Sequence, residues 1–492
     1  MTTTNKSIKS EVINGVFWIA LAKYSGIVVS LIVVAILSRC ISASAFGTVA
    51  IALVILHFLN ILADIGIGPA IVQYSELERK DLDELFTITV YMGLFLALSL
   101  FFASEPLSSY YNDTSLKPVC EMMSVVVLFN AMNVVPNGMM RKNKRFKTIA
   151  IRTLFFQILS GILAVWGALI GWGIYSLLVS PIITSIGVFS VNFYNYPRRV
   201  VCKLKGYALR MVSSFSVFQF GFTFVNYFCR NLDKLIIGKF FSMEQLGYYD
   251  KSYHTMLLPV NNISFVIDPV LHPILSSLKD RKSLLGEKNI RLSVIVSYIS
   301  FPLGVGLFFS ADEIINILYG SNWQSAVPVF RILALSLPLQ IILSMNNPIF
   351  QAAGRTNLMF YSGILNSSLS VLGFFFAATY FKSIEAVAWS WVITLLINFV
   401  NTYIIMYCLA LKNSPIPFFK SLFPQLINST IVFGLTWIVF QYIIIDSYIV
   451  SFLLKALIVF ISTIGMAYIL KQYSVRNLFY MLNNRLSSRI KR

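Results

Sequence analysis

Residues 12–37 read VINGVFWIALAKYSGIVVSLIVVAIL, a run of 26 residues whose one formal charge is Lys23. A helix rises about 1.5 Å per residue, so roughly 20 apolar residues cross a hydrocarbon core about 30 Å thick. This run is long enough to cross. It is too long for the apolar core of a signal peptide, and no small-residue cleavage site follows it, so a retained first span is expected after the polar leader Met1–Glu11.

The same signal returns along the chain. Apolar runs near 45–68, 85–104, 119–139, 148–170, 174–195, 213–238, 245–275, 292–311, 325–350, 357–379, 383–409, 421–445 and 447–470 bring the total to about 14 spans. With 57% hydrophobic and 12% charged residues and a mean hydropathy of +0.76, the chain has too little polar surface for a water-soluble body. No stretch is left for a soluble catalytic domain. The fold class expected is an all-α integral membrane protein of about 14 transmembrane helices.

A net charge of +19 would suit nucleic acid, but basic residues scattered between apolar runs are explained by membrane topology, and no nucleic-acid partner is expected. An even number of spans puts both termini on one side. With that side cytoplasmic, 28 of the 39 lysines and arginines fall in cytoplasmic segments, and only Arg39, Lys117, Lys239 and Lys382 fall outside. The positive-inside rule therefore predicts cytoplasmic termini. Cys40, Cys120, Cys202, Cys229 and Cys408 form no CxxC pair and read as apolar packers; His57, His254 and His272 are isolated. No metal site is expected, and with no GxxxxGK[ST] phosphate loop, no nucleotide or other cofactor.

A shift of 200 positions lays Leu37-Ser-Arg39-Cys-Ile-Ser42-Ala-Ser-Ala-Phe46-Gly47 over Ile237-Gly-Lys239-Phe-Phe-Ser242-Met-Glu-Gln-Leu246-Gly247, and Pro69 over Pro269. Pro136 and Pro348 correspond at 212, which requires a gap of 12 residues in between. Each motif follows the first span of a six-helix block, and an even period makes the two copies run the same way through the membrane. The expected domains are an N-lobe at 1–205, a parallel C-lobe at 206–411, and a segment 412–492 with two more spans. Its tail spaces Leu478, Leu482, Leu486 and Ile490 by four among arginines, as in an amphipathic helix lying on the inner leaflet.

A charge at the centre of a spanning helix costs about 2.5–3.5 kcal/mol, so each needs a partner, a wet cavity or a snorkelling route. Lys23 sits mid-span and is a candidate cavity cation; packing against an acid is the alternative. The 213–238 span carries Asn226, Arg230, Asn231, Asp233 and Lys234, which read either as a cationic wall or as a self-neutralised cluster with Arg230 and Asp233 paired at i, i+3. Arg331, about two turns inside its span, joins the candidates, whereas Arg152 and Lys455 read as snorkelling. Seven intramembrane cations face Asp64, Asp233, Asp250 and Asp268, and the surplus suits an anionic cargo such as a diphosphate. Asn60, Asn261, Asn262, Asn346, Asn347, Asn366, Asn398 and Asn401 offer amides for sugar hydroxyls or for helix-helix bonds. Asp64, at an expected unwound turn beside Gly66, Gly68 and Pro69, and Asp233 are candidates for proton or ion coupling. Pro136, Pro181, Pro259, Pro302, Pro338 and Pro348 are expected to interrupt spans as bends or hinges.

The Arg39–Gly47 segment, Asp64-Ile-Gly-Ile-Gly-Pro-Ala-Ile-Val-Gln73, Asp233-Lys-Leu-Ile-Ile-Gly238, and the run from Tyr319-Gly-Ser-Asn-Trp323 to Pro328 with Gln351-Ala-Ala-Gly-Arg355 resemble the Wzx-type polysaccharide exporters. The likeness covers essentially the whole chain and leans toward the colanic-acid and teichuronic-acid branch of the multidrug/oligosaccharidyl-lipid/polysaccharide superfamily. It implies a bacterial inner-membrane flippase with two six-helix lobes in a V shape, plus two C-terminal helices. It also implies alternating access driven by an ion gradient or the membrane potential, and a cationic cavity taking undecaprenyl-diphosphate-linked oligosaccharide units. Partners implied are that lipid-linked oligosaccharide, membrane lipids, a polysaccharide polymerase and a chain-length regulator. The cationic lumen carries over to Lys23, Arg230, Lys234 and Arg331, with Asn226 beside them.

Two transporters compete with this reading. A drug or cation antiporter of the same superfamily would want acidic residues in its cavity, and the interior here is net positive. A peptidoglycan-precursor flippase would share the cationic cavity, and only the loop motifs favour the polysaccharide branch. A membrane enzyme would need a compact acid, base or histidine site in a sizeable outer loop, and residues 105–118 and 312–324 are sparse in such groups.

Overall fold

Serine caps open the helices that follow the two repeated motifs. In the computed structural model Ser42 accepts the amide of Ala45 at 3.4 Å, and Ser242 accepts that of Gln245 at 3.2 Å while the Gln245 side chain returns to the Ser242 amide at 3.3 Å. The helices they start, α2 (Ala43–Asp64) and α9 (Met243–Ser276), touch where Gly47 meets Gly247. A Cβ built on Gly47 would lie 1.8 Å from the Met243 carbonyl oxygen, and one on Gly247 would lie 2.1 Å from the Ala43 carbonyl oxygen. The two contacts exchange under the same shift of 200, so the repeat is visible as a self-complementary helix crossing.

The structure describes residues 2–74, 76–201, 206, 227, 230–276, 281–442 and 445–469, with backbone alone at 2–14, 16, 266–274, 276 and 442. Two compact units divide it, Met1–Gly247 and Tyr248–Arg492. The first holds α1 (Thr2–Cys40), α2, a short α3 (Ile67–Gln73), α4 (Arg79–Tyr111), α5 (Leu116–Lys142), α6 (Phe146–Leu169), α7 (Ser176–Asn195) and α8 (230–240). Here α5 is the hub, packed by α2, α3, α4 and α7, while α1 lies along α6. The second unit continues from α9 with α10 (Lys282–Phe309), α11 (Ala311–Tyr319), α12 (Ala326–Ala334), α13 (Leu337–Ser344), α14 (Asn346–Ala352), α15 (Thr356–Phe376), α16 (Ile384–Ile404), α17 (Ile416–Tyr442) and α18 (Tyr448–Ile469). Its hub is α10, which packs on α12, α13, α17 and α18 with Asn289, Ser293, Ser297 and Ser300 fully buried at helix-face spacing.

Among the described residues, 11 helices are long and apolar enough to cross a bilayer, and 12 if the bent pair 326–334 and 337–352 is one span. This is a multi-pass membrane protein. Of the remaining expected spans, 245–275 corresponds to α9, whose 34 residues reach about 51 Å but include charged groups; 213–238 lies largely outside the described residues.

The prolines behave differently from the expectation that each interrupts its span. Pro136, Pro181, Pro259 and Pro302 sit inside the continuous helices α5, α7, α9 and α10, and Pro348 lies within α14. Pro338 follows a break, a 48° bend at Leu335–Ser336, where it seats 3.0 Å from the position a Gly304 Cβ would take, and Pro348 follows a one-residue break at Met345 between α13 and α14. The absent side chain at Gly304 gives the bend its room.

Candidate functional site

One face of α5 carries a ladder of interhelical polar contacts in the first unit. Asn130, Asn133 and Asn137 follow an i, i+3, i+7 spacing, and each reaches a different helix. Asn130 donates to Asn60 of α2 at 3.4 Å, Asn192 of α7 donates to Asn133 at 2.7 Å, and Arg152 of α6 donates to Asn137 at 2.9 Å. An interhelical hydrogen bond in a membrane is worth about 0.6 kcal/mol on average, so the ladder fixes register more than it adds stability. Arg152 is 7% exposed, donates also to the Val188 carbonyl at 3.4 Å, and makes no ion pair among the described residues. It is therefore a buried cation held by neutral acceptors and not the snorkelling residue expected. The Arg152 Nε and the Asn192 Oδ1 are buried without a hydrogen-bond partner among the described residues.

The α1/α6 pair fixes the depth of Lys23. Gly15 meets Phe146, and the Gly26 carbonyl accepts Gln157 at 2.7 Å, so the two helices run parallel with a register difference of 131. Lys23 is half-buried and lies level with Leu154, within about one turn of Arg152. Lys147 near the start of α6 stands over the Trp18 ring at 5.3 Å.

Asp64 closes α2 at the unwound turn expected there. Ile65 and Gly66 are left-handed, with φ of 42° and 78°, and the Asp64 carboxylate accepts the Gly68 amide at 2.9 Å across the break. It thereby satisfies an orphan donor of α3. On α8, Asp233 is 1% exposed and accepts the Lys234 amide at 2.8 Å, while Lys234 is half-buried and Arg230 exposed. Tyr227, just before α8, donates to the Val54 carbonyl at 2.6 Å, and Gly238 faces Ile51, so this stretch lies along α2. Asn226 lies outside the described residues. Asp64, Arg230, Asp233 and Lys234 thus come from adjacent helices, and Lys23 comes from the α1/α6 pair.

Arg331 belongs to the second unit, exposed on α12 with its guanidinium 5.7 Å from the centre of the Phe308 ring. Lys455 is not snorkelling. It forms an ion pair with Glu313 of α11 and donates to the Phe309 carbonyl at 3.1 Å, and Ser451 adds a 2.6 Å bond to the same carboxylate. The asparagines at 366, 398 and 401 bind one another and Ser370 and Thr402 across α15 and α16, with Asn366 to Thr402 at 2.7 Å. This is the helix-bonding use.

The Tyr319–Trp323 motif is anchored by its two buried aromatic ends. The Tyr319 hydroxyl lies 2.6 Å from Thr255 Oγ1, its ring packs on Trp323, and Trp323 packs on Tyr248. Burial pushes the Tyr319 phenol above its ordinary range, so it stays protonated. Gly320 between them has φ +92°, a conformation that favours glycine. Asn130, Asn133, Asn137 and Asn192 escaped the sequence reading, although the spacing of the first three was open to it.

Residues 36–328 match the family described as polysaccharide biosynthesis proteins. The chain is 26% identical over 445 residues to the teichuronic acid biosynthesis protein TuaB of Bacillus subtilis (strain 168), covering 87% of this chain and 90% of that one. It is 24% identical over 385 residues to the succinoglycan biosynthesis transport protein ExoT of Rhizobium meliloti (strain 1021), covering 77% and 76%. The lipid II flippase MurJ, in an inward closed conformation, shares the fold with a TM-score of 0.74 at 16% identity, over 94% of this chain and 100% of that one.

Proposed function

This chain belongs to the polysaccharide biosynthesis protein family, and from that premise we propose that it is a flippase, carrying undecaprenyl-diphosphate-linked oligosaccharide units from the cytoplasmic to the outer leaflet of a bacterial inner membrane. The observation that carries the reading is the family match falling on a chain built almost wholly of membrane-crossing helices. The units feed a surface polysaccharide such as O-antigen, capsule or exopolysaccharide, whose polymerase and chain-length regulator act next. Both termini are cytoplasmic, the direction given by the 28-to-4 bias of basic residues.

Movement is by alternating access of two six-helix lobes, 1–205 and 206–411, driven by an ion gradient or the membrane potential without nucleotide hydrolysis. A diphosphate brings at least two negative charges, which the cations on its path must meet. Lys23 and Arg152 share one depth, and Arg230 and Lys234 lie toward the other end of the first unit, so they form two cationic stations for the head group. Arg152, which donates to an amide and a carbonyl and makes no ion pair among the described residues, lies near the first station. The chain's work is binding, orientation and passage, and it catalyses no covalent step.

The test is a flipping assay in proteoliposomes with a defined lipid-linked oligosaccharide. Translocation that depends on the protein is expected. Deletion of the gene should leave repeat units facing the cytoplasm and abolish the surface polymer; normal polymer in a strain with no second exporter refutes the proposal.

A further inference from the structure

The second unit contains a recess outside the stations assigned above. It lies where α10 and α17 end and α12 and α18 begin, has a volume of about 390 Å³, and is lined by Arg331, Lys455, Gln441, Trp437 and four phenylalanines. Phe309 packs on Phe433 at 4.8 Å and on Phe440 at 5.2 Å, and Phe308 on Phe433 at 5.0 Å. Arg331 lies over Phe308, and Lys455 over Phe440 at 5.6 Å. Phe433 is also a wall of a second cavity of about 510 Å³ between α10, α13, α16 and α17, whose lining, including Gly304, Pro338, Leu396, Phe419 and Leu426, is almost entirely apolar.

We propose that this paired cavity holds an anionic glycerophospholipid, its phosphodiester between Arg331 and Lys455 and an acyl chain in the apolar groove below Phe433. Charge selects the occupant. Lys455 is matched by Glu313, and Arg331 makes no ion pair among the described residues, so the recess carries one surplus positive charge. A phosphodiester supplies one negative charge and neutralises it, whereas the diphosphate of the proposed cargo would overshoot. Geometry agrees with charge. Arg331 lies about 8 Å beyond the start of α12 and Lys455 about 10 Å beyond that of α18, the depth of a headgroup with its chain continuing inward. Of the three ammonium donors of Lys455, Glu313 and the Phe309 carbonyl take two. One remains for a phosphate oxygen. The walls match the lipid in the same order, aromatic and cationic at the mouth and aliphatic beyond it.

The test uses the full chain, purified and delipidated in detergent and followed by native mass spectrometry with palmitoyl-oleoyl-phosphatidylglycerol or palmitoyl-oleoyl-phosphatidylcholine. The wild type should hold phosphatidylglycerol about tenfold or more tightly than phosphatidylcholine, whose phosphodiester offers the same acceptors but whose choline ammonium leaves the surplus positive charge of the recess unneutralised. Arg331→Gln should erase the preference and Arg331→Lys should keep it; both leave the Lys455–Glu313 pair in place, so folding is not at stake. A photoreactive benzoylphenylalanine at Trp437 should label phosphatidylglycerol. Equal retention of the two lipids, or an unchanged preference in Arg331→Gln, overturns the assignment. Displacement of phosphatidylglycerol by equimolar undecaprenyl diphosphate also overturns it, since the recess would then belong to the cargo path.

Discussion

Replacing Gly47 by alanine tests the crossing of α2 and α9. The new Cβ would stand 1.8 Å from the Met243 carbonyl oxygen and 2.7 Å from its carbon, and both are backbone atoms that cannot rotate away. Contact begins near 3.0 Å, so the helices must part locally by about 1.2 Å. Overpacking of this kind costs about 1–3 kcal/mol, and the lost dispersion along the parted helices places this site toward the upper end. The gain of replacing a helical glycine, about 1 kcal/mol, offsets only part of that. Gly434→Ala in α17 is the control, because a Cβ there meets nothing within 4 Å. Unfolding of the purified protein in graded SDS should show Gly47→Ala failing at a clearly lower midpoint than Gly434→Ala. Gly247→Ala should behave like Gly47→Ala, and the double variant should lose less than the sum, since one parting accommodates both methyls. Equal midpoints for Gly47→Ala and Gly434→Ala would refute the close approach.

Lys23→Ala and Arg230→Ala should each reduce export of surface polymer while membrane protein levels hold, and normal export in both removes them from the path. Asp64→Asn keeps an oxygen for the Gly68 amide and removes the charge; transport lost at wild-type stability identifies a coupling carboxylate, and unimpaired transport assigns Asp64 to capping alone. Lys455→Met strands the buried Glu313 carboxylate and should cost about 3–5 kcal/mol in the same SDS assay, whereas Lys455→Met with Glu313→Leu should recover most of it. A single variant as stable as wild type would show the pair to be dispensable.

The spans were legible because bilayer thickness demands a run length and needs no knowledge of neighbours. The serine caps, which the sequence reading did not single out, were open to it for a similar reason, since the bonds of Ser42 and Ser242 are local. Arg152 was not. Its distance from the helix end suited snorkelling, and the face it presents to Asn137 and Val188 is decided by packing with α5 and α7. Lys455 was misread because its partner, Glu313, lies 142 residues away in a segment taken for an outer loop. Proline failed as a guide to breaks because a spanning helix keeps its remaining bonds where no water competes for them.

The break at Leu335–Ser336 has a cause in the repeat that proline alone does not supply. In sequence Tyr111-Asn112 corresponds to Tyr319-Gly320, where Asn112 and Gly320 both have positive φ, and Ser115-Leu-Lys-Pro118-Val119 corresponds to Ser325-Ala-Val-Pro328-Val329. From Val119 to Pro136 is 17 residues, and from Val329 to Pro348 is 19. Two extra residues in an unbroken helix would turn everything after them by about 200° and carry a core-facing side to the opposite face. Helix α12 ends at Ala334 and α13 begins at Leu337, so two residues, Leu335 and Ser336, stand between them. The bend absorbs the insertion, and Leu337, Ile341, Ile342 and Ile349 remain buried, with α13 packed on α10 and α16 and α14 on α15.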